Sequence, residues 1–235
     1  MAKNKLKKFA EVATFGNVIE PDIKEVFRKD YHIKGNWHSQ FFKNNHPIVL
    51  ELGCGKGEYT TGLAARYNNK NFIGIDIKGA RIWKGASEAL LKGLTNAGFL
   101  RTRIEHISSV FGPEEVSEIW ITFPDPQEKR DRSTKRLTSS LFLPIYKQFL
   151  KPSGVIHLKT DNEILYNYTC RLCQFNNLEV KYKTNDLYHS NVDDEALLSI
   201  KTHYEALFTA KGLSIKYICF TIDGHESFLE PPSKI

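Results

Sequence analysis

The sequence predicts an α/β protein built on a mostly parallel, seven-stranded sheet flanked by helices. Three observations carry that prediction. A short apolar run, Pro47-Ile48-Val49-Leu50-Glu51-Leu52, is followed at once by Gly53-Cys54-Gly55-Lys56-Gly57-Glu58 and then by a helical pattern from Tyr59 to Arg66. Beyond Pro47, strand-like and helix-like patterns alternate, as they do where parallel strands are joined by crossover helices. A chain of 235 residues, 41% hydrophobic and with 15 Phe, can also bury a sizeable core. One domain over 47–235 is expected, preceded by a basic N-terminal extension, residues 1–46, packed on it.

The extension carries Lys3, Lys5, Lys7 and Lys8 and aromatic anchors from Phe9 to Phe42. Glu11 and Gly16 interrupt any apolar leader, and no apolar run reaches membrane-spanning length. A cytoplasmic protein with four reduced cysteines is therefore expected. After the first strand and helix, a second strand is predicted over Asn71–Asp76. The next helix carries Ile82, Ala86, Ala89, Leu90 and Leu94 at helical spacing, with Gly98 as its stop. A third strand should include Arg103–Ile107 and a fourth Val116–Phe123. A helix is expected over Ser139–Leu150 with Pro144 in its early part, where a missing N–H matters least. Lys151-Pro152-Ser153-Gly154 should turn into a fifth strand, Val155–Lys159, followed by a helix starting at Thr160 or Asp161. Two last strands, near Glu179–Lys183 and Ser214–Ile222, flank a helix over Ala196–Lys211. Cys170-x-x-Cys173 falls inside a helical pattern, and no second Cys or His pair has zinc spacing, so packing is expected there and no metal site.

The glycine turn is where chemistry is expected. A turn with three alternate glycines lets a ligand approach the backbone closely, and the helix start beyond it leaves N–H groups unpaired. A dinucleotide fingerprint needs G-x-G-x-x-G, but Glu58 occupies the third glycine's place and Glu51 stands inside the motif. That disfavours a nicotinamide-dependent oxidoreductase, because a pyrophosphate avoids a carboxylate and a cationic ligand seeks one. In open α/β sheets ligands gather at the carboxyl ends of strands. Acids or small polar groups are predicted at each of those ends: Glu51, Asp76 (23 residues after Gly53), Ser108-Ser109, Asp125 and Asp161. Thr160-x-x-Glu163 is also a capping box, so Asp161 could equally be a first-turn charge. In Phe123-Pro124-Asp125-Pro126 two prolines stiffen the loop that presents Asp125. Next comes the run from Lys129 to Arg136. It suits phosphate contacts, and it also looks like a solvated face. Its attachment to a strand-end loop, together with a net charge of +6, favours nucleic acid.

The form Glu51-x-Gly53-x-Gly55-x-Gly57 resembles motif I of S-adenosyl-L-methionine-dependent methyltransferases. Together with Gly74-Ile75-Asp76, the Phe123–Pro126 loop followed by Lys129 to Arg136-Leu137, Lys159-Thr160-Asp161-Asn162 and Thr202-x-Tyr204-Glu205, in that order, it resembles the bacterial tRNA (guanine-N7-)-methyltransferase family from about Phe9 onward. The resemblance implies a Rossmann-like class I methyltransferase fold and transfer of a methyl group to guanine N7 in the tRNA variable loop, with a methyltransferase for another RNA as the alternative. Glu51, Gly53, Gly55, Gly57, Asp76, Ser108, Ser109 and Asp125 match cofactor positions, Asp125 being the catalytic one. Lys129, Asp161, Thr202, Tyr204 and Glu205 match tRNA substrate positions. Arg130, Arg132, Lys135 and Arg136 match RNA-contacting ones. Asp161 and Glu205 are expected to accept hydrogen bonds from guanine N1 and N2. The chain departs from the family at Ser108, where an acid is usual, and at Gln127, where Trp is common. The expected oligomeric state is monomer or homodimer.

Overall fold

The apolar stretch before the glycines forms a fully buried strand because it lies between two other strands and under helices on both faces. The computed structural model describes residues 2–232, with side chains from Leu6 onward. The side chains of Lys3 and Lys5, residue 1 and residues 233–235, the last three of the expected domain, lie outside the described residues. The chain begins with α1 (Ala2–Val12), β1 (Val18–Ile19) and a single turn, α2 (Ile23–Val26), before the π-helical segment Trp37–Phe42. It continues through β2 (Ile48–Leu52), α3 (Glu58–Arg66), β3 (Asn71–Asp76), α4 (Gly79–Leu91), β4 (Ala97–Arg101) and β5 (Val116–Thr122). The second half comprises α5 (Leu143–Lys147), β6 (Leu150–Thr160), α6 (Glu163–Phe175), β7 (Val180–Thr184), α7 (Glu195–Ser199), α8 (His203–Ala210) and β8 (Lys216–Thr221).

These strands make one sheet in the order β1-β4-β3-β2-β5-β6-β8-β7. All pairs are parallel except β6 with β8 and β8 with β7. The order reverses between β2 and β5, which opens the ligand crevice at the ends of those strands. One core face gathers Leu50, Ile73, Ile121 and Leu158 with Trp37 and Phe111, the other Val49, Phe72, Phe99 and Trp120 under α3 and α4.

Eight strands rather than seven are present because the extension supplies β1, where Val18 pairs with Phe99. Trp37 anchors the same segment: its Nε1 donates to Val110 O at 2.9 Å and its ring stacks on Phe111 at 5.1 Å. Glu115 accepts from the backbone N–H of both Gly35 and Trp37.

Several expected boundaries are corrected. The third strand is 97–101, not 103–107, and Ile104–Ser109 is 3₁₀ helix. Gly93, at φ +64°, follows the end of α4, while Gly98 lies within β4 as a notch for the Phe41 ring, 2.6 Å from where a Cβ would lie. Only 143–147 of the 139–150 segment is α-helical, with Pro144 in its first turn. The strand after it already begins at Leu150, running through Ser153 in a left-handed conformation (φ +58°) beside a register shift. The following helix is capped by Asn162, whose side chain accepts from Leu165 N at 2.9 Å, so the Thr160 capping box does not form. The helix expected over 196–211 breaks at Ile200–Thr202, and the capping box sits there instead, between Thr202 and Glu205.

Gly85 in α4 shows how tightly the glycine turn is packed. A Cβ there would lie 2.6 Å from Lys56 O and 3.0 Å from Gly57 Cα. A mid-helix glycine replaced by alanine ordinarily gains up to about 1 kcal/mol, but overpacking against backbone costs about 1–3 kcal/mol. Gly85→Ala should therefore lower the urea midpoint; a midpoint at or above that of the unaltered protein would contradict this packing.

Candidate active site

At the carboxyl end of β2 the chain turns through Gly53, Gly55 and Gly57, all at positive φ (73°, 57° and 70°). The N–H groups of Gly53 and Cys54 donate to Ile75 O at 2.8 and 3.0 Å, tying the turn to β3. A Cβ on Gly57 would strike the Phe99 ring at 2.6 Å, whereas one on Gly53 would meet nothing within 4 Å. Gly57 is thus glycine for packing, while Gly53 faces open space. That space is a cavity of about 290 Å³ between the turn, the Thr122–Asp125 loop and Thr202–Tyr204.

Glu51 lies at the floor of the cavity, almost fully buried. One carboxyl oxygen accepts from Thr60 N at 2.9 Å and Thr60 Oγ1 at 2.5 Å, the other from Thr122 Oγ1 at 2.7 Å. Burial raises its pKa to about 7, against the pull of those hydrogen bonds. Burial also raises the Cys54 thiol, with Glu51 and Asp76 adding to it, so it stays protonated and is no nucleophile. Asp76 is fixed by the turn it serves, accepting from Gly55 N at 3.0 Å and Lys78 N at 2.8 Å.

Asp125 is exposed and lines the cavity between Phe123 and Gln127, both left-handed (φ 47° and 46°). Gln127 N donates to Asp125 Oδ1 at 3.1 Å. This strained loop is held from behind by Arg136, which donates to Pro126 O at 3.1 Å and Gln127 O at 3.0 Å and lies over the Tyr168 ring at 4.3 Å. Arg136 is only 4% exposed. Its expected RNA contact is corrected: it braces the loop. Lys129, Arg130 and Arg132 are exposed, and Lys135, also exposed, reaches the cavity wall at the end of the 3₁₀ segment Arg130–Lys135.

The guanine-facing role expected of Glu205 is corrected as well. Glu205 and Lys159 are both 0% exposed and form an ion pair at 2.7 Å. Tyr188 Oη donates to the same Glu205 oxygen at 2.6 Å, and Thr202 N to the other at 3.4 Å. With both oxygens engaged away from solvent, Glu205 fixes Thr202 in place, and Thr202, His203 and Tyr204 line the cavity. Asp161 is half-buried and stands outside the lining, burial raising its pKa.

Ser108 and Ser109 are not brought to the cavity. β4 ends at Arg101, so the strand-end position belongs to Thr102, and the Ser109 hydroxyl donates instead to Val26 O at 2.7 Å. Sequence reasoning also missed Lys56, Lys78 and Arg81, which line the cavity beside the acids. Tyr204 and Phe208 stack one turn apart on α8 (6.3 Å), and Phe208 meets Phe123 (6.0 Å), a contact the sequence hides because Phe123 lies 85 residues before Phe208. Among the described residues no cluster of His, Cys, Asp or Glu could hold a metal ion, and no helix is long and apolar enough to cross a membrane.

An open glycine turn with an acid inside it, set at the reversal point of a mostly parallel sheet with an antiparallel far edge, defines a Rossmann-like class I methyltransferase. Solved structures agree on the fold: the 16S rRNA methyltransferase KamB superposes with a TM-score of 0.59 at 14% identity, covering 78% of this chain and 91% of its own. Residues 45–218 match the family described as Putative methyltransferase. A tRNA (guanine-N(7)-)-methyltransferase of Bacteroides thetaiotaomicron is 51% identical over 235 residues, 100% of this chain and 92% of that protein. One of Christiangramia forsetii is 51% identical over 221 residues, 94% of this chain and 99% of that protein. The chain belongs to the tRNA (guanine-N(7)-)-methyltransferase family.

The buried Glu51 carries a pH signature. Its pKa is 4.5 in the unfolded chain and about 7 when folded, so the folded protein holds the proton more tightly. The stabilisation is complete below pH 4.5 and is lost as pH rises through 7, a change of about 3 kcal/mol. Glu51→Gln keeps an acceptor for Thr60 N and lets the Thr122 hydroxyl accept. Urea denaturation at pH 5, 6, 7 and 8 should give this variant the flatter profile; equal slopes would contradict the burial argument.

Proposed function

We propose that this protein transfers a methyl group from S-adenosyl-L-methionine to N7 of a guanosine in the variable loop of tRNA. The observation that carries the reading is the meeting of Glu51, Asp76 and Asp125 with the open face of Gly53 in one cavity, beside the exposed cations of the 130–135 segment. The residues fit the cofactor. Glu51 and Asp125 suit its ammonium and sulfonium charges, Asp76 suits ribose hydroxyls, and the Gly53 face has room for it. When bound, the cofactor supplies an electrophilic methyl group on a positively charged sulfur.

Guanine N7 has a lone pair and no proton, so the chain needs no general base. Asp125 is the catalytic residue in this reading, its fixed charge facing a base that becomes cationic. The rigid loop around it supplies alignment, which is the larger share of what such a transfer needs. Tyr204 is 45% exposed beside Phe208 and Phe123 and offers a stacking face for a base drawn out of folded RNA. Asp161 stands outside the cavity wall, and in this reading it meets the substrate's other edge only once the base is bound. Lys129, Arg130, Arg132 and Lys135 meet phosphates. The enzyme is read as cytoplasmic, where its substrate is.

Unmodified bulk tRNA incubated with methyl-labelled cofactor should yield 7-methylguanosine mapping to the variable loop; label confined to another RNA would overturn the reading. Asp125→Ala should lower turnover by about a hundredfold or more with an unchanged melting temperature, since the side chain is exposed; near-normal turnover would remove Asp125 from the chemistry. Replacing Arg132 and Lys135 by Gln should reduce the salt slope of tRNA binding by about 1.4–1.8, and an unchanged slope would return them to a solvated face.

A further inference from the structure

Glu58 lines the cavity yet has no part in the chemistry above. It is the first residue of α3, where a carboxylate ordinarily sits over its own helix N-terminus. Instead its Oε2 accepts a hydrogen bond at 3.0 Å from His203 N, 145 residues away. Its Oε1 lies 4.0 Å from Lys84 Nζ on α4. His203 is the first residue of α8, and its N–H is one of the donors that a helix start cannot pair within the helix. Thr202 Oγ1 takes Glu205 N and Glu205 takes Thr202 N, so Glu58 completes the cap from outside. The same seam is close-packed one turn further along α3, where a Cβ on Gly62 would stand 2.8 Å from Ile200 Cγ2. One charge-assisted hydrogen bond thus joins the glycine turn to the Thr202–Tyr204 wall.

We propose that Glu58 is a positioning residue that couples these two walls, so that cofactor in the turn strengthens tRNA binding at Thr202–Tyr204, and tRNA strengthens cofactor binding by the same factor. This rests on the methyltransferase reading above. A cofactor that orders the glycine turn orders Glu58 with it, and Glu58 then holds the start of α8 where the substrate needs it.

The bond can be deleted from either side. Glu58→Ala removes the acceptor. His203→Pro removes the donor at a first helical position that tolerates proline, and Thr202 already has the extended backbone (φ −72°, ψ 161°) that a following proline requires. Binding of tRNA would be measured with and without S-adenosylhomocysteine, alongside steady-state kinetics. In the unaltered protein the cofactor product should tighten tRNA binding at least fivefold. In both variants that ratio should fall to about 1, with KM for tRNA raised and S-adenosylhomocysteine affinity within about twofold. Glu58→Gln, which keeps an acceptor, should restore the ratio. Combining Glu58→Ala with His203→Pro should add nothing to either alone. Coupling that survives in Glu58→Ala or His203→Pro, effects that add in the double variant, or an unaltered protein that methylates tRNA without any coupling would overturn the proposal alone. An unaltered protein that methylates no tRNA would overturn the functional reading and this proposal with it.

Discussion

The site depends on a single carboxyl group buried in the middle of the sheet. Glu51 sits on β2, takes two hydrogen bonds from Thr60 on α3 and one from Thr122 at the end of β5. It therefore bridges the two strands whose separation creates the crevice and the helix that follows the glycine turn. Burying such a group is costly unless its oxygens are paired, and three donors meet that requirement without supplying a positive charge. The remaining imbalance is what raises its pKa to about 7 and leaves the site receptive to a cation.

A second buried acid does the opposite. Glu205 is matched by Lys159, and the pair is enclosed with Tyr188 and the carbonyl of Leu197, which accepts from Lys159 Nζ at 2.7 Å. Losing one partner of such a pair costs about 3–5 kcal/mol, so the pair specifies where the α7–α8 connection lies. The two acids divide the labour: Glu51 is left short of positive charge at the floor of the cavity, and Glu205 is satisfied behind the Thr202–Tyr204 wall. Asp125, exposed on its proline-stiffened loop, is held by backbone geometry and by Arg136 rather than by burial. Lys129, Arg130 and Arg132 stand outside the cavity lining and are exposed, so solvent screens them from these acids.

Most of the sheet was legible because its signals are local. Asn71–Asp76 reads as a strand from its own composition, and the glycines after Leu52 announce their turn. Errors arose where one residue type serves two purposes. Gly98 looks like a helix stop and is a packing notch for Phe41, a contact between residues 57 apart in sequence. A helix stop at Gly98 displaces the expected third strand and puts Ser108 and Ser109 at its end, whereas the strand itself ends at Arg101. Arg136 belongs to a basic run by sequence and to the interior by packing, and only the Tyr168 ring reveals it. Likewise Glu205 looks ligand-facing in the sequence, where nothing shows that Lys159 pairs with it. β1 is illegible for a similar reason: Val18-Ile19 is too short to announce a strand without its partner Phe99.

The claim that the cofactor cup is a buried, partly protonated carboxyl awaiting a cation is tested most directly by calorimetry. S-adenosylmethionine would be titrated into the protein at pH 6.5 in buffers of different ionisation enthalpy, with Glu51→Gln in parallel. A cation beside Glu51 favours its carboxylate, so the unaltered protein should release about half a proton or more beyond whatever the variant releases. Identical proton release by the two proteins would contradict the account.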